Sequence, residues 1–230
     1  MAWSIVQSND HENGAASSAT CAVTLPAPIT SGNMVVVFLG LATAADDLTS
    51  VTDDQGNVYN ATVFIESGSG GYGWHGIWLS NITNGPTTIT ATTASAHAFT
   101  SILAIEIAPP VGAIISLDTS ATNTQSVPGT GTDAITSGNV TTTAADLLIA
   151  ACVSESSLGI VNGTGYTAIQ TNVGGNSFST EFLVQAGPAT QAGTFTSPSG
   201  GGGFFTTILM AFSGFIPATA LPFNLIEVIW

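Results

Sequence analysis

Short apolar runs alternate with glycine, proline and asparagine turns along the whole chain, with a turn signal about every ten residues. Threonine, valine, isoleucine and glycine crowd the runs, and helical periodicity is nearly absent. β-Branched side chains suit a pleated, half-buried surface, so this pattern predicts an all-β sandwich or barrel. Strands are predicted at 20–25, 34–42, 58–66, 76–80, 87–92, 99–107, 113–119, 147–153, 166–171, 178–186, 193–196 and 204–212. Between Val51 and Val58, Asp53-Asp54-Gln55-Gly56-Asn57 reads as a hairpin turn in which Gly56 supplies the positive φ.

The chain also repeats itself. Ile29-Thr30-Ser31-Gly32-Asn33 recurs as Ile135-Thr136-Ser137-Gly138-Asn139, an offset of 106 (135 − 29). The same offset pairs Thr88 with Thr194, Phe99 with Phe205, Ile102 with Ile208 and Leu103 with Leu209. Two pseudo-repeats, 20–108 and 111–213, are therefore expected to share a strand order and close one compact sandwich across Pro109-Pro110. Two tandem immunoglobulin-like sandwiches are the alternative. Outside the repeat lie an N-terminal arm, 1–19, and a C-terminal extension, 214–230, that ends in an apolar strand.

Several stretches carry a resemblance. They are Ser31-Gly32-Asn33-Met34-Val35-Val36-Val37, Ser50-Val51-Thr52-Asp53-Asp54-Gln55-Gly56-Asn57-Val58-Tyr59, Asn84-Gly85-Pro86-Thr87-Thr88-Ile89-Thr90, and the run from Gly138-Asn139-Val140 to Leu147-Leu148-Ile149. Over roughly residues 20–213 the chain resembles Gly/Ser/Thr-rich jelly-roll-like β-sandwich proteins found among bacterial secreted proteins and phage structural proteins. The resemblance implies a jelly-roll-like antiparallel sandwich and no catalytic residues.

Charge narrows the function. Asp and Glu number 14, Lys and Arg are absent, and charged residues make up only 6% of the chain, against roughly a quarter in ordinary domains. Without a cation to neutralise phosphates, nucleic-acid binding is excluded, as is docking on anionic lipid. A P-loop lysine, a Schiff-base lysine and an arginine clamp are excluded too. Ion pairs can involve only His11, His75, His97 or the N-terminal amine. An all-acidic surface favours solubility and resists proteases that cut after Lys or Arg. Both properties fit an exposed, extracellular or cell-surface setting, with a virion as the alternative. No apolar run reaches the roughly 18 residues of a membrane helix. The opening Met-Ala-Trp-Ser-Ile-Val is not a secretory signal.

Candidate chemistry is sparse. There is no nucleophile elbow and no HExxH. Glu66, Glu106 and Glu181 fall on predicted strands, but a glycosidase pair ranks last among the readings, and the chain is expected not to be an enzyme. Asp10, His11 and Glu12 concentrate oxygen and imidazole ligands that a hard cation such as Ca²⁺ would take, a solvated acidic loop being the plainer reading. Tyr72, Trp74 and Trp78 share strand parity. If that face is open, they form a ladder that stacks on sugar rings; if both faces are buried, they are core. Cys21 and Cys152 read as buried thiols, with one disulfide as the alternative. Asn-x-Ser/Thr sequons at Asn60, Asn81, Asn139 and Asn162 matter only where exported proteins are glycosylated.

The terminal strand is the strongest interface candidate. Phe223, Leu225, Ile226, Val228, Ile229 and Trp230, with Trp3 at the other end, are expected to meet a neighbouring copy by strand addition, or to close the chain's own sandwich. The leading expectation is a homopolymeric structural subunit of a filament, sheath or surface layer. A phage virion surface protein and a carbohydrate-binding or adhesion module are the alternatives.

Overall fold

The computed structural model describes residues 3–67, 71–129, 132–154, 159–170, 177–197 and 203–217. Among them every element is a strand and every pairing is antiparallel. The first half contains β1 (Ser4–Glu12), β2 (Ser18–Thr24), β3 (Met34–Leu41), β4 (Leu48–Asp53), β5 (Asn60–Glu66), β6 (Gly73–Leu79), β7 (Thr88–His97) and β8 (Ser101–Ala108). The second contains β9 (Ile114–Val127), β10 (Asp133–Thr141), β11 (Leu147–Ser154), β12 (Val161–Asn162), β13 (Thr167–Gln170), β14 (Ser177–Val184), β15 (Thr190–Ser197) and β16 (Gly203–Phe215).

Each half makes one five-stranded and one three-stranded sheet. The first half orders them β1-β8-β3-β6-β5 and β2-β7-β4; the second orders them β9-β16-β11-β14-β13 and β10-β15-β12. Within each half, strand one pairs with eight, two with seven and three with six. That nesting is the jelly roll, and the two halves match strand for strand. The segment set apart as an N-terminal arm holds β1, which pairs with β8 from Ser4↔Ala108 to Glu12↔Ser101.

Three apolar layers hold four sheets together. Val35, Val37, Leu39, Ile77, Ile89 and Ile102 fill the first sandwich. Leu148, Ala150, Cys152, Phe195, Phe205 and Leu209 fill the second. The third layer lies between the two five-stranded sheets, where Met34, Val36, Phe38 and Trp74 meet Leu147, Ile149, Met210 and Phe212. The middle sheets are thus covered on both faces. This explains why β3 and β11 are continuous apolar runs with every residue buried, whereas β7 alternates buried and half-exposed residues over Thr88–Thr93. Close approach in the middle layer needs two glycines: a Cβ on Gly40 would stand 2.2 Å from the Trp74 ring, and one on Gly76 2.9 Å from the Met210 sulfur.

The halves face each other about an approximate twofold relation. Gln170 Nε2 on β13 donates to Ser8 Oγ on β1 at 3.3 Å, and Thr124 Oγ1 on β9 donates to the Glu66 carbonyl on β5 at 3.4 Å. In strand order these are the same edge contact made twice, as in an isologous dimer.

The sequence repeat does not track this relation. Ile29–Asn33 is a loop entering β3, while Ile135–Asn139 lies inside β10. Met34 lies opposite Ile107 and Leu147 opposite Phe212, so β8 and β16 correspond at an offset of 105 (212 − 107). The 106 offset slips by one residue, and in a strand that swaps faces. Ile102 points into the first sandwich, whereas Ile208 lies in the layer between halves. The expected turn at Asp53–Asn57 is present, with Gly56 at φ 82° and its N–H on the Asp53 carbonyl at 3.0 Å. It links β4 and β5, which belong to different sheets, through one bridge between Thr52 and Val58.

Candidate functional site

The aromatic ladder is internal. Trp74 is 4% exposed and stacks on Phe178 with ring centroids 5.8 Å apart. Trp78, half-buried, meets Phe212 edge-on at 5.5 Å. Tyr72 precedes β6 and is half-buried, its carbonyl taking the Ser67 N–H at 2.8 Å. Trp74 and Trp78 have the shared parity the sequence gives them, but a second sheet covers that face, so neither ring is open to a sugar. Trp3, expected at an interface with another copy, is 7% exposed in the same layer and abuts Gly214 of its own chain.

Asp10, His11 and Glu12 are consecutive on β1, opposite Leu103, Ile102 and Ser101. Strand alternation sends His11 to one side and the two carboxyls to the other. Asp10 is bonded to Gln170, and burial nonetheless raises its carboxyl above the ordinary value. Among the described residues no three metal-ligating side chains converge. Histidine supplies the ion pairs of those residues: His97 Nε2 lies 2.6 Å from Asp47, and His75 Nε2 3.7 Å from Asp46. The hydrogen bond from His97 holds Asp47 below the usual carboxylate range. Burial lowers His75, with Asp46 opposing weakly.

Glu106 and Glu181 are both fully buried, yet each anchors backbone rather than facing a cleft. Glu106 Oε1 accepts the Thr30 N–H at 2.8 Å and Asn33 Nδ2 at 2.6 Å, and Oε2 accepts Gln7 Nε2 at 2.5 Å. Glu181 accepts the N–H groups of Gly163 at 2.8 Å and Thr194 at 3.0 Å, tying β14 to the opposite sheet. Desolvation raises its carboxyl, and those bonds pull it back. Cys21 and Cys152 are free thiols buried in different sandwiches, so the alternative of a disulfide between them is not realised. The strand expected at 223–230, with Phe223, Leu225, Ile226, Val228, Ile229 and Trp230, lies outside the described residues.

One polar cluster was not legible in the sequence. Asp146 precedes β11 as Asn33 precedes β3, and both sit at the corner where β1 or β9 crosses a bulge. In the first half this corner is the satisfied Glu106 network. In the second, Ala211 occupies the position matching Glu106, and the bulged residue Asp118 reaches Asp146 instead. Asp146 is fully buried, and among the described residues no donor reaches either carboxyl oxygen. No Lys or Arg in the chain can neutralise the two carboxyls, and burial beside a like charge favours a proton on Asp146. Burial and Asp118 push Asp146 up to about 6 from 3.8.

The sign of the pH effect follows. The folded state binds this proton more tightly than the unfolded chain, so the stabilisation is complete below about pH 3.8 and is lost as pH rises through about 6. Asp146→Asn is expected to raise Tm at pH 7.5 and leave it nearly unchanged at pH 4. Solvent at half-buried Asp118 limits the gain to about 1 kcal/mol, or roughly 2–4 °C. Thermal melts at the two pH values check this; equal shifts at both would show that the pair does not titrate as described.

No protein-family model matches the chain, and no curated protein sequence matches it. Among solved structures, the crystal structure of the mavirus major capsid protein is similar at 8% identity and a TM-score of 0.25, over 92% of this chain and 87% of that one. The strand order, not this likeness, defines the fold described above.

Proposed function

We propose that this chain is a non-enzymatic structural subunit that assembles with copies of itself, outside the cytoplasm, into a filament, sheath or surface layer. The observation that carries the reading is how the chain uses its chemistry-bearing side chains. Trp74 and Trp78 belong to the layer between halves, and Glu106 and Glu181 hold loops and opposing strands. The surface that remains carries hydroxyls and acids together with exposed apolar side chains such as Val111, Ile114, Phe204 and Phe215. A four-layer, cation-free body of this kind suits a building block exposed to proteases better than a binding module, whose aromatic ladder would need an open face.

Electrostatics set the conditions for assembly. Copies with a formal charge of −14 repel one another, and no basic patch offsets this. Divalent cations such as Ca²⁺, acid or added salt should therefore promote assembly. We further propose that the apolar strand at 223–230 pairs with a neighbouring copy. Sedimentation of the full chain and of a chain ending at Pro217, just past β16, tests both points. The full chain should form large species that grow with Ca²⁺, at pH 5 or with salt, and the shortened chain should fold but stay monomeric. A full chain that remains monomeric in every condition contradicts assembly. A shortened chain that cannot fold shows that the strand belongs to its own core.

A further inference from the structure

The two halves close the same corner with different side chains. In the first half the Ile82 N–H donates to the Asn33 carbonyl at 3.0 Å; in the second the Gln185 N–H donates to the Asp146 carbonyl at 2.9 Å. Ile82 therefore matches Gln185, as Asn33 matches Asp146. Ile82 is buried and apolar, and the Asn33 amide is satisfied by Glu106 at 2.6 Å. The matching pair in the second half is polar on both sides and unsatisfied. Asp146 is fully buried with both carboxyl oxygens lacking a donor, and Gln185 is 6% exposed with Nε2 lacking an acceptor, among the described residues. Leu147 pairs with Val184, so Asp146 and Gln185 stand opposite on adjacent strands and share a face. The first half shows that this corner can be satisfied by the chain alone; the second gathers three orphaned polar atoms there.

Asp118 completes the group. It is the bulged residue of β9, between Leu117↔Phe212 and Thr119↔Ala211. Its Oδ2 accepts the Thr143 N–H at 3.2 Å, and its carboxyl lies against Asp146. Being half-buried, it connects the pair to solvent. The Gln185 amide supplies a further oxygen. Thr142 Oγ1 lies 2.8 Å from that amide and 3.2 Å from both the N–H nitrogen and the carbonyl oxygen of Ala189. The hydroxyl can donate to the Ala189 carbonyl, so it can accept from the amide nitrogen as readily as donate to the amide oxygen. With the amide turned over, every bond is kept and the orphaned atom is an oxygen.

We infer that Asp118, Asp146 and Gln185 form a Ca²⁺ site at the corner of the second sandwich. Oxygen-only donors select a hard cation. Ca²⁺ accepts an irregular set of oxygens, whereas Mg²⁺ demands a near-ideal octahedron. A divalent ion brings the positive charge that no Lys or Arg in this chain supplies, and it satisfies the orphaned oxygens together, where a proton on Asp146 serves only one of them. A cavity of about 270 Å³, lined by Ala145, Gln185 and Gly214 among others, opens beside the pair and leaves room for waters in the remaining coordination positions. Two carboxylates place the dissociation constant at about 0.1–1 mM, the class of extracellular Ca²⁺ modules. The site belongs to the folded chain and does not depend on assembly, unlike the charge screening described above.

Calorimetric titration and thermal melts of the dilute, chelator-treated full chain at pH 7.5 test the site, with Ca²⁺ as the probe and Mg²⁺ as the control for screening. The parent should show saturable Ca²⁺ binding. At tenfold excess over the dissociation constant its Tm should rise by roughly 3–6 °C. Asp146→Asn should abolish both responses, yet melt above the parent in chelator, so that a lost response is not a lost fold. Asp118→Asn, at a half-buried bulge, is the second variant and should weaken Ca²⁺ binding by more than about tenfold, since affinity follows ligand charge. Asp10→Asn removes the same charge on β1 and should respond as the parent does. A parent with no Ca²⁺ response, an equal response to Mg²⁺, or a full Ca²⁺ response in Asp146→Asn overturns the inference and leaves the proposed function standing.

Discussion

Phe178→Ala is expected to destabilise the chain by about 3–5 kcal/mol. Phe178 is 4% exposed in the layer between halves, with Trp74 stacked on one side and Phe38 edge-on at 6.2 Å on the other. Rings from both middle sheets meet there, so truncation opens a cavity that neither sandwich can close alone. Denaturant unfolding followed by tryptophan fluorescence is a direct probe, because Trp3, Trp74 and Trp78 all belong to or pack against this layer. The fluorescence transition should move to lower denaturant in the variant. A loss below about 1 kcal/mol would mean that the two sandwiches are held together by something other than this layer.

Glu106→Ala is expected to cost about 3–4 kcal/mol, a similar loss by a different route. The carboxyl collects Gln7 from β1, Asn33 from the entry to β3 and the Thr30 backbone, and so fixes one corner of the first sandwich. Removing it leaves the buried Asn33 amide without an acceptor. Glu106→Gln keeps the shape but turns one acceptor into a donor facing donors, so it should fall between the parent and the alanine variant. Equilibrium denaturation gives the order. An alanine variant as stable as the parent would show that water replaces the carboxyl without loss.

The sequence was most informative where one chemical pattern has one structural meaning. The runs Met34–Leu41 and Leu147–Ser154 could only be buried strands, and the Asp53–Asn57 turn needs Gly56 wherever its strands go. It was least informative where the answer depends on a second sheet. Parity places Trp74 and Trp78 on one side of β6, but whether that side meets water depends on β14 and β16 from the other half. The repeat shows the same limit. Residues that match in type at a fixed offset, such as Ile102 and Ile208, face opposite layers, because an apolar residue is acceptable on either face of a doubly covered strand. β1 was missed because its Ser-Ile-Val-Gln-Ser-Asn-Asp-His-Glu is a polar edge strand whose alternation is broken by a bulge between Ile5 and Gln7. The Asp118–Asp146 pair joins residues 28 apart (146 − 118) through tertiary packing alone, and only the all-acidic composition hinted that such a pair would lack a cation.

Assembly is the central claim, and electron microscopy of the purified full chain tests it most directly. Samples at low salt and neutral pH should be compared with samples given Ca²⁺, brought to pH 5 or raised in salt. Ordered polymers built from a repeating four-layer unit, sparse in the first condition and abundant in the others, are the predicted result. Isolated single particles in every condition would contradict it.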